Sequence, residues 1–170
     1  MQSKHFDIEI LNINHVQLRV NYYLLNKEYL EIWHPTTPKG FYTFKYQENK
    51  INEQLKLVNN SESAQFVMVN KEKKMLGHCN YTKIKNNKCW LGFSISKASE
   101  GKSLMYEALK LTNAYVIKNL EIKEIRAGIL PNNDRSIRLI KRLDFKYVGE
   151  KDELEINGET RTYETYLLSN

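Results

Sequence analysis

A chain of 170 residues with 41% hydrophobic and 27% charged side chains has the balance of a soluble globular domain and the length to bury a core without staples. No run approaches the ~18 apolar residues of a membrane span; the longest are pieces such as Phe66-Val67-Met68-Val69, and the first seven residues, MQSKHFD, hold no apolar signal core, so a cytoplasmic location is expected. The net charge of +6 suits an anionic ligand, an RNA-rich partner or solubility alone.

In chain order, alternation over residues 6–11 predicts a first strand. Apolar positions at Val16, Leu18, Val20, Tyr23, Leu24 and Leu25 predict a helix over 15–30, broken by the HPTTP stretch at 34–38. A second amphipathic helix is predicted over 41–58, with a turn at 59–63. Strand-like runs at 64–69, 75–84 and 89–95, joined by short polar links, predict an antiparallel meander. Cys79 and Cys89 lie on two of these runs, and reduced thiols are expected rather than a bridge.

A long helix follows over 102–119, with Leu104, Ala108, Leu111 and Tyr115 and also Met105, Leu109 and Val116 recurring at helical spacing. Residues 122–130 read as a strand and 131–136 as a loop entering a helix that ends at Arg142. Residues 145–150 and 162–168 read as strands flanking a hairpin turn at 156–159. The order predicts a mixed sheet with helices on its faces.

The junction SISKASEGKSLMYEAL, residues 94–109, concentrates the chemistry. A helix that starts at once after a strand offers free backbone N–H groups and the positive end of its dipole to an anion. Gly101 permits unusual torsions there, Lys102 adds a cation and Ser103 a hydroxyl. The alternative is an ordinary helix start with Ser99 as its N-cap. Arg135, Arg138, Lys141 and Arg142 add a basic face within two turns of the next helix.

Taken together, LGFSIS running into EGKSLMYEAL, then ILPNNDRSIRLIKRLDFKYVGE and INGETRTYETYLL, resemble the GCN5-related N-acetyltransferase (GNAT) superfamily. Within it they resemble the ribosomal-protein-alanine N-acetyltransferase group, and LLNKEYLEIWHPTTPKGFYT is similar to that group's substrate-side helices. The resemblance implies one acetyltransferase domain over residues 1–170. Its α+β fold would be a twisted, mostly antiparallel sheet of about seven strands flanked by about four helices. It further implies an enzyme that uses acetyl-coenzyme A and no metal.

The resemblance also assigns residues. Phe93, Ser94 and Ile95 would pair their backbone with the pantetheine arm of the cofactor. Gly101, Lys102, Ser103, Leu104 and Met105 would hold its pyrophosphate. Asn133 would meet the arm near the thioester, and Arg138 or Arg142 its phosphates. The family pattern has Arg or Gln, Gly, and Gly or Ala at positions where this chain has Glu100, Ser103 and Met105, so weaker cofactor binding is expected.

The family's frequent tyrosine acid falls at Ile140; the ribosomal group suggests Ser136 instead as donor to the departing thiolate, with helix capping as the other use of that residue. Glu155, with Glu153 as rival, is the expected carboxylate base, unless a water relay replaces it. Trp33, Phe41 and Tyr42, with Phe44, would line the acceptor pocket or pack on the sheet; His34 and His78 stand outside the assigned site. The expected acceptor is the α-amine of a ribosomal protein's N-terminus, with docking near ribosomal RNA. A small amine (polyamine, amino sugar or antibiotic) and a degenerate coenzyme A-binding or protein-binding module are the alternatives. A monomer or a homodimer is compatible with the sequence.

Overall fold

The computed structural model describes residues 1, 3–33, 37–156 and 158–169. The expected breaker residues at 34–36, His34 among them, and Asn157 of the hairpin turn lie outside them.

The elements run β1 (Asp7–Ile10), α1 (Val16–Leu25), α2 (Lys27–Glu31), α3 (Phe44–Asn59), β2 (Ala64–Val69), β3 (Met75–Lys85), β4 (Lys88–Ile95), α4 (Leu104–Asn119), β5 (Glu124–Ile129), α5 (Asp134–Lys141), β6 (Lys146–Ile156) and β7 (Glu159–Ser169). The seven strands form one sheet in the order β1-β2-β3-β4-β5-β7-β6. Every pairing is antiparallel except β4 with β5.

That parallel pairing matters most. It holds only at Lys88↔Glu124, Cys89↔Ile125 and Trp90↔Arg126. Beyond Trp90 the two strands no longer pair, although β4 continues to Ile95 and β5 to Ile129. The sheet therefore opens there, leaving backbone groups of β4 available to something else.

Both faces of the sheet are covered, which is why β2 is buried at all six positions. On one face Phe66, Met68, Cys79 and Tyr81 pack with Ala108, Leu109 and Val116 of α4 and Ile140 of α5. On the other, Val67 and Val69 pack with Val16, Tyr22 and Tyr23 of α1 and Ile51 of α3. Full burial of a large apolar side chain such as Leu109 contributes about 1.5–3 kcal/mol. The Tyr81 hydroxyl, wholly buried, bonds Thr112 Oγ1 at 2.8 Å and donates to Asn113 Oδ1 at 2.6 Å, pinning α4 to the sheet.

Two elements differ most from expectation. The helix expected over 15–30 is two helices that meet at Asn26, giving five α-helices among the described residues rather than four. Asn26 donates from Nδ2 to the Tyr22 carbonyl at 2.7 Å and accepts at Oδ1 from the Lys97 amide at 2.9 Å. These bonds tie the break to the loop after β4 and aim α2 at the open end of the sheet. The strand expected over 145–150 extends to Ile156, because β7 supplies a partner along its length after an irregularity between Tyr147 and Lys151. The two cysteines are buried free thiols; Cys79 lies opposite Phe93 rather than Cys89.

Candidate active site

Where β4 and β5 part, a cleft of about 860 Å³ opens. Its walls are residues 91–95 of β4, residues 97, 99–101 and 103 of the following loop, the first turn of α4, the end of β5 with Leu130, and one side of α5. Tyr29 and Leu30 of α2 and Trp33 just beyond it close the cleft on one side, and Tyr163 of β7 on another.

The floor of the cleft is the turn that the sequence singled out. Gly101 has φ +74° and Ser103 φ +58°, both left-handed. This sharp turn starts α4 without a side-chain cap: Ser103 stands at the cap position but makes no capping bond. The first helical bond runs from the Glu107 amide to the Ser103 carbonyl, so the amides of Leu104, Met105 and Tyr106 have no hydrogen-bond partner among the described residues. Helices α3 and α5 do carry caps, from Thr43 and Asn133. An uncapped helix start lining a cleft has the free amides and dipole end that suit an anion. Ser99 is not the cap; it sits in a short 3-10 turn, its hydroxyl 2.9 Å from that of Ser96.

Side chains around the cradle depart from expectation in instructive ways. The Lys102 ammonium donates to the Ala98 carbonyl at 2.7 Å and does not line the cleft; it braces the loop from outside. Met105 is buried among core residues, with Cys79 Sγ 3.7 Å from its sulfur, in space that Gly77 leaves free. Glu100 does not turn to solvent: its Oε1 accepts from Arg135 of α5 and from the Tyr29 hydroxyl at 3.3 Å. Burial, then the Glu100 charge, pushes the Tyr29 phenol above its ordinary range.

Phe93, Ser94 and Ile95 line the cleft. The Ser94 hydroxyl lies 2.6 Å from that of Tyr22, and burial drives the Tyr22 phenol far above its ordinary value. Asn133, Ser136 and Arg138 line the opposite wall. Asn133 Oδ1 accepts from the Ser136 amide at 3.2 Å and caps α5, so capping falls to Asn133 and not to Ser136. The Ser136 hydroxyl makes no hydrogen bond among the described residues, at a helix start facing the cleft. Arg142 stacks on Tyr106, its guanidinium carbon 4.4 Å from the ring centre. Ile140 is fully buried.

The expected base is not brought to the cleft. Glu155 and Glu153 lie exposed on β6, opposite Thr160 and Thr162, and neither lines it. The reason is topological, since β6 is the outermost strand and β7 stands between it and β5. Of the expected acceptor residues, Trp33 lines the cleft, while Phe41 and Tyr42 pack in the α1–α3 core, Phe41 4.8 Å from the Tyr23 ring. Phe44 is exposed, and His78 on β3 faces the rings of Tyr22 and Tyr23.

Sequence reading missed Tyr29, Tyr163 and Gly128. A Cβ on Gly128 would meet the Tyr163 Cβ at 3.7 Å and the Trp90 ring at 3.8 Å, ordinary contact distances. Alternation along TYETYLL was the available signal: Tyr166 belongs to the core, and Tyr163, an odd number of positions away, faces the other side. Among the described residues no group of three or more His, Cys, Asp or Glu could hold a metal ion, and no helix is long and apolar enough to cross a membrane.

A sheet parted between two parallel strands, with an uncapped helix start at its mouth, is the arrangement of a coenzyme-binding acyltransferase fold. The chain belongs to the acetyltransferase (GNAT) domain family, which matches residues 20–146. It is 30% identical over 154 residues to the [ribosomal protein uS5]-alanine N-acetyltransferase of Escherichia coli (strain K12), covering 84% of this chain and 76% of that one. Among solved structures, a ribosomal-protein-S5-alanine acetyltransferase from Vibrio fischeri superposes with a TM-score of 0.94 at 22% identity, over 100% of this chain and 96% of that one. Mycobacterium smegmatis RimJ, in complex with CoA-disulfide, gives 0.88 at 15% identity, over 95% and 80%. The two structures share the fold; the Escherichia coli enzyme is a relative in sequence.

Proposed function

We propose that residues 1–170 form one domain that transfers the acetyl group of acetyl-coenzyme A to the α-amine of a protein N-terminus, with a ribosomal protein as the acceptor. The observation that carries this reading is the cleft between the parted strands, with three unpartnered amides at one end and the Ser136 hydroxyl in the opposite wall. The residues present fit the cofactor. The amides of Leu104, Met105 and Tyr106 suit its diphosphate, Met105 leaves the cradle open, and Glu100 is neutralised by Arg135. The unpaired edge of β4 at Phe93, Ser94 and Ile95 suits the amide-bearing arm, and Asn133 and Arg138 flank it.

In the reaction the acceptor nitrogen attacks the thioester carbonyl, a C–N bond forms, the C–S bond breaks, and the sulfur leaves with the bonding pair. We assign to Ser136, whose hydroxyl makes no hydrogen bond among the described residues and lines the cleft, the role of hydrogen-bond donor to that sulfur. The acceptor nitrogen loses one proton, which passes through solvent to the departing thiolate so that coenzyme A leaves as its free thiol; Glu100, the only carboxylate among the cleft-lining described residues, is already held by Arg135 and Tyr29. With no free carboxylate lining the cleft among the described residues, an amine that is already neutral is favoured. With a reference pKa near 8, about one α-amine in ten is neutral at pH 7, against fewer than about one lysine in a thousand. That difference, with the ribosomal-protein relatives, favours an α-amine acceptor.

Trp33, Tyr29 and Tyr163 form the acceptor side, where α2 and β7 face each other; Arg161 of β7 donates to the Ile32 carbonyl at 3.2 Å and holds the two together. A +6 chain is suited to a particle rich in RNA phosphate, and such acceptors are made in the cytoplasm.

The test supplies acetyl-coenzyme A with peptides carrying the N-termini of ribosomal proteins, with α-blocked lysine peptides, and with polyamines and amino sugars. Free thiol and the mass of each product are followed. Acetylation of the α-nitrogen is expected. Turnover of small amines with none of peptides would overturn the acceptor, and binding without turnover of anything would leave a cofactor-binding module.

A further inference from the structure

A carboxylate at the mouth of a diphosphate cradle is a repulsive charge at the wrong place, yet Glu100 stands there, at the start of the 100–103 turn. Its surroundings show how the charge is managed. Only 24% of its side chain is exposed, while that of Arg135 is 68% exposed. One oxygen, Oε1, receives both the Arg135 guanidinium and the Tyr29 hydroxyl. Three separate elements thus meet on a single carboxylate: α2, the cradle loop and the first turn of α5. All three residues line the cleft.

With its Arg135 partner largely exposed, this ion pair contributes little to folding. Its effect on an anionic ligand is larger, because the pair replaces a net negative charge at the cradle with a dipole whose positive end lies on α5. We infer that Arg135 is a positioning residue for cofactor binding that acts through Glu100, cancelling and tethering its carboxylate so that the open amides of α4 keep an attractive field. The inference rests on the proposed use of coenzyme A. It also explains how a chain with Glu at this loop position, where the resemblance of its sequence expects Arg or Gln, keeps a cradle: the cation has moved to the next helix.

The alternative is that Arg135 meets a phosphate directly, and the two are separable by a double-substitution cycle. Coenzyme A is titrated calorimetrically into the wild-type chain, Glu100→Gln, Arg135→Gln and the double variant, with melting temperatures measured alongside. A bare carboxylate within a Debye length of a diphosphate weakens binding about tenfold. Arg135→Gln is therefore expected to raise Kd about tenfold without moving the melting temperature. Glu100→Gln should bind at least as tightly as wild type, and the double variant should return to within about threefold of wild type, since the repelling charge is gone.

An equal loss from Arg135→Gln in both backgrounds would overturn the inference, because Arg135 would then act on the ligand itself. No loss in either background would also overturn it. A wild-type chain that takes up no coenzyme A would overturn both this inference and the proposed function, whereas wild-type binding with an additive cycle removes the inference alone.

Discussion

Replacing Ser103 by glycine should make the protein more stable, against the usual expectation that glycine weakens a helix start. Ser103 has φ +58° and ψ 7° immediately before α4. For a residue with a Cβ that conformation costs about 1–2 kcal/mol, from crowding against the following carbonyl. Glycine removes this cost but adds freedom to the unfolded chain worth about 0.4–1 kcal/mol. No bond is lost at the helix start, because the Ser103 hydroxyl caps nothing. The net gain is about 0.5–1 kcal/mol, which for a chain of this size raises Tm by about 2 °C. Urea and thermal melts of the wild type, Ser103→Gly and Ser103→Ala measure it. Alanine keeps the Cβ and should show no gain, so the order Gly above Ser, with Ala no better than Ser, isolates backbone strain from the hydroxyl. Equal stability of Gly and Ser, or an alanine variant as stable as the glycine one, would refute the reasoning.

Ser136→Ala should lower kcat about a hundredfold, the scale of a positioned proton donor, with Tm nearly unchanged because Asn133 provides the cap; a full-rate variant would remove Ser136 from the chemistry. Gly77→Ala should destabilise by about 3 kcal/mol, since the added Cβ would stand 2.3 Å from the Ser94 carbonyl oxygen on the paired strand and backbone must move; a melt within experimental error of wild type would contradict that packing. Burial pushes the thiols of Cys79 and Cys89 up from 9.0 to about 12, so neither should react with an aromatic disulfide reagent at pH 8 until denaturant is added. Because the unfolded thiols ionise first, their contribution to stability is intact below pH 9 and is lost progressively as pH rises toward 12, which urea melts across that range would register.

The meander, the long helix α4 and the cradle turn were legible because each is governed by local rules. Strands β2 to β4 alternate or run apolar between short polar links, α4 repeats its apolar positions at helical spacing, and Gly101 marks the turn. The break at Asn26 was not legible, since an asparagine inside an apolar-periodic run shows its role only when the Lys97 amide, far along the chain, is bonded to it. The full length of β6 was hidden by its composition: an outer strand exposes its charges, so Lys151, Asp152, Glu153 and Glu155 carry no inward pattern to read.

The site divides the same way. Ser94, Leu104 and Asn133 sit on elements whose ends meet at the parted strands, and their neighbours in sequence announce it. Glu155 was misplaced because counting along a strand does not reveal which strand lies between it and the cleft. The Tyr29–Glu100–Arg135 junction joins residues on three elements, and only the assembled fold turns Glu100 from a mismatch into a paired charge.

The central claim is that main-chain amides at the start of α4 receive the diphosphate of coenzyme A. Amide-resolved NMR during a titration with coenzyme A tests it most directly. The resonances of Gly101 and residues 103–106 should shift together and saturate, with those of residues 93–95 following as β4 gains its partner. Resonances from 101–106 that stay fixed at millimolar coenzyme A would contradict it.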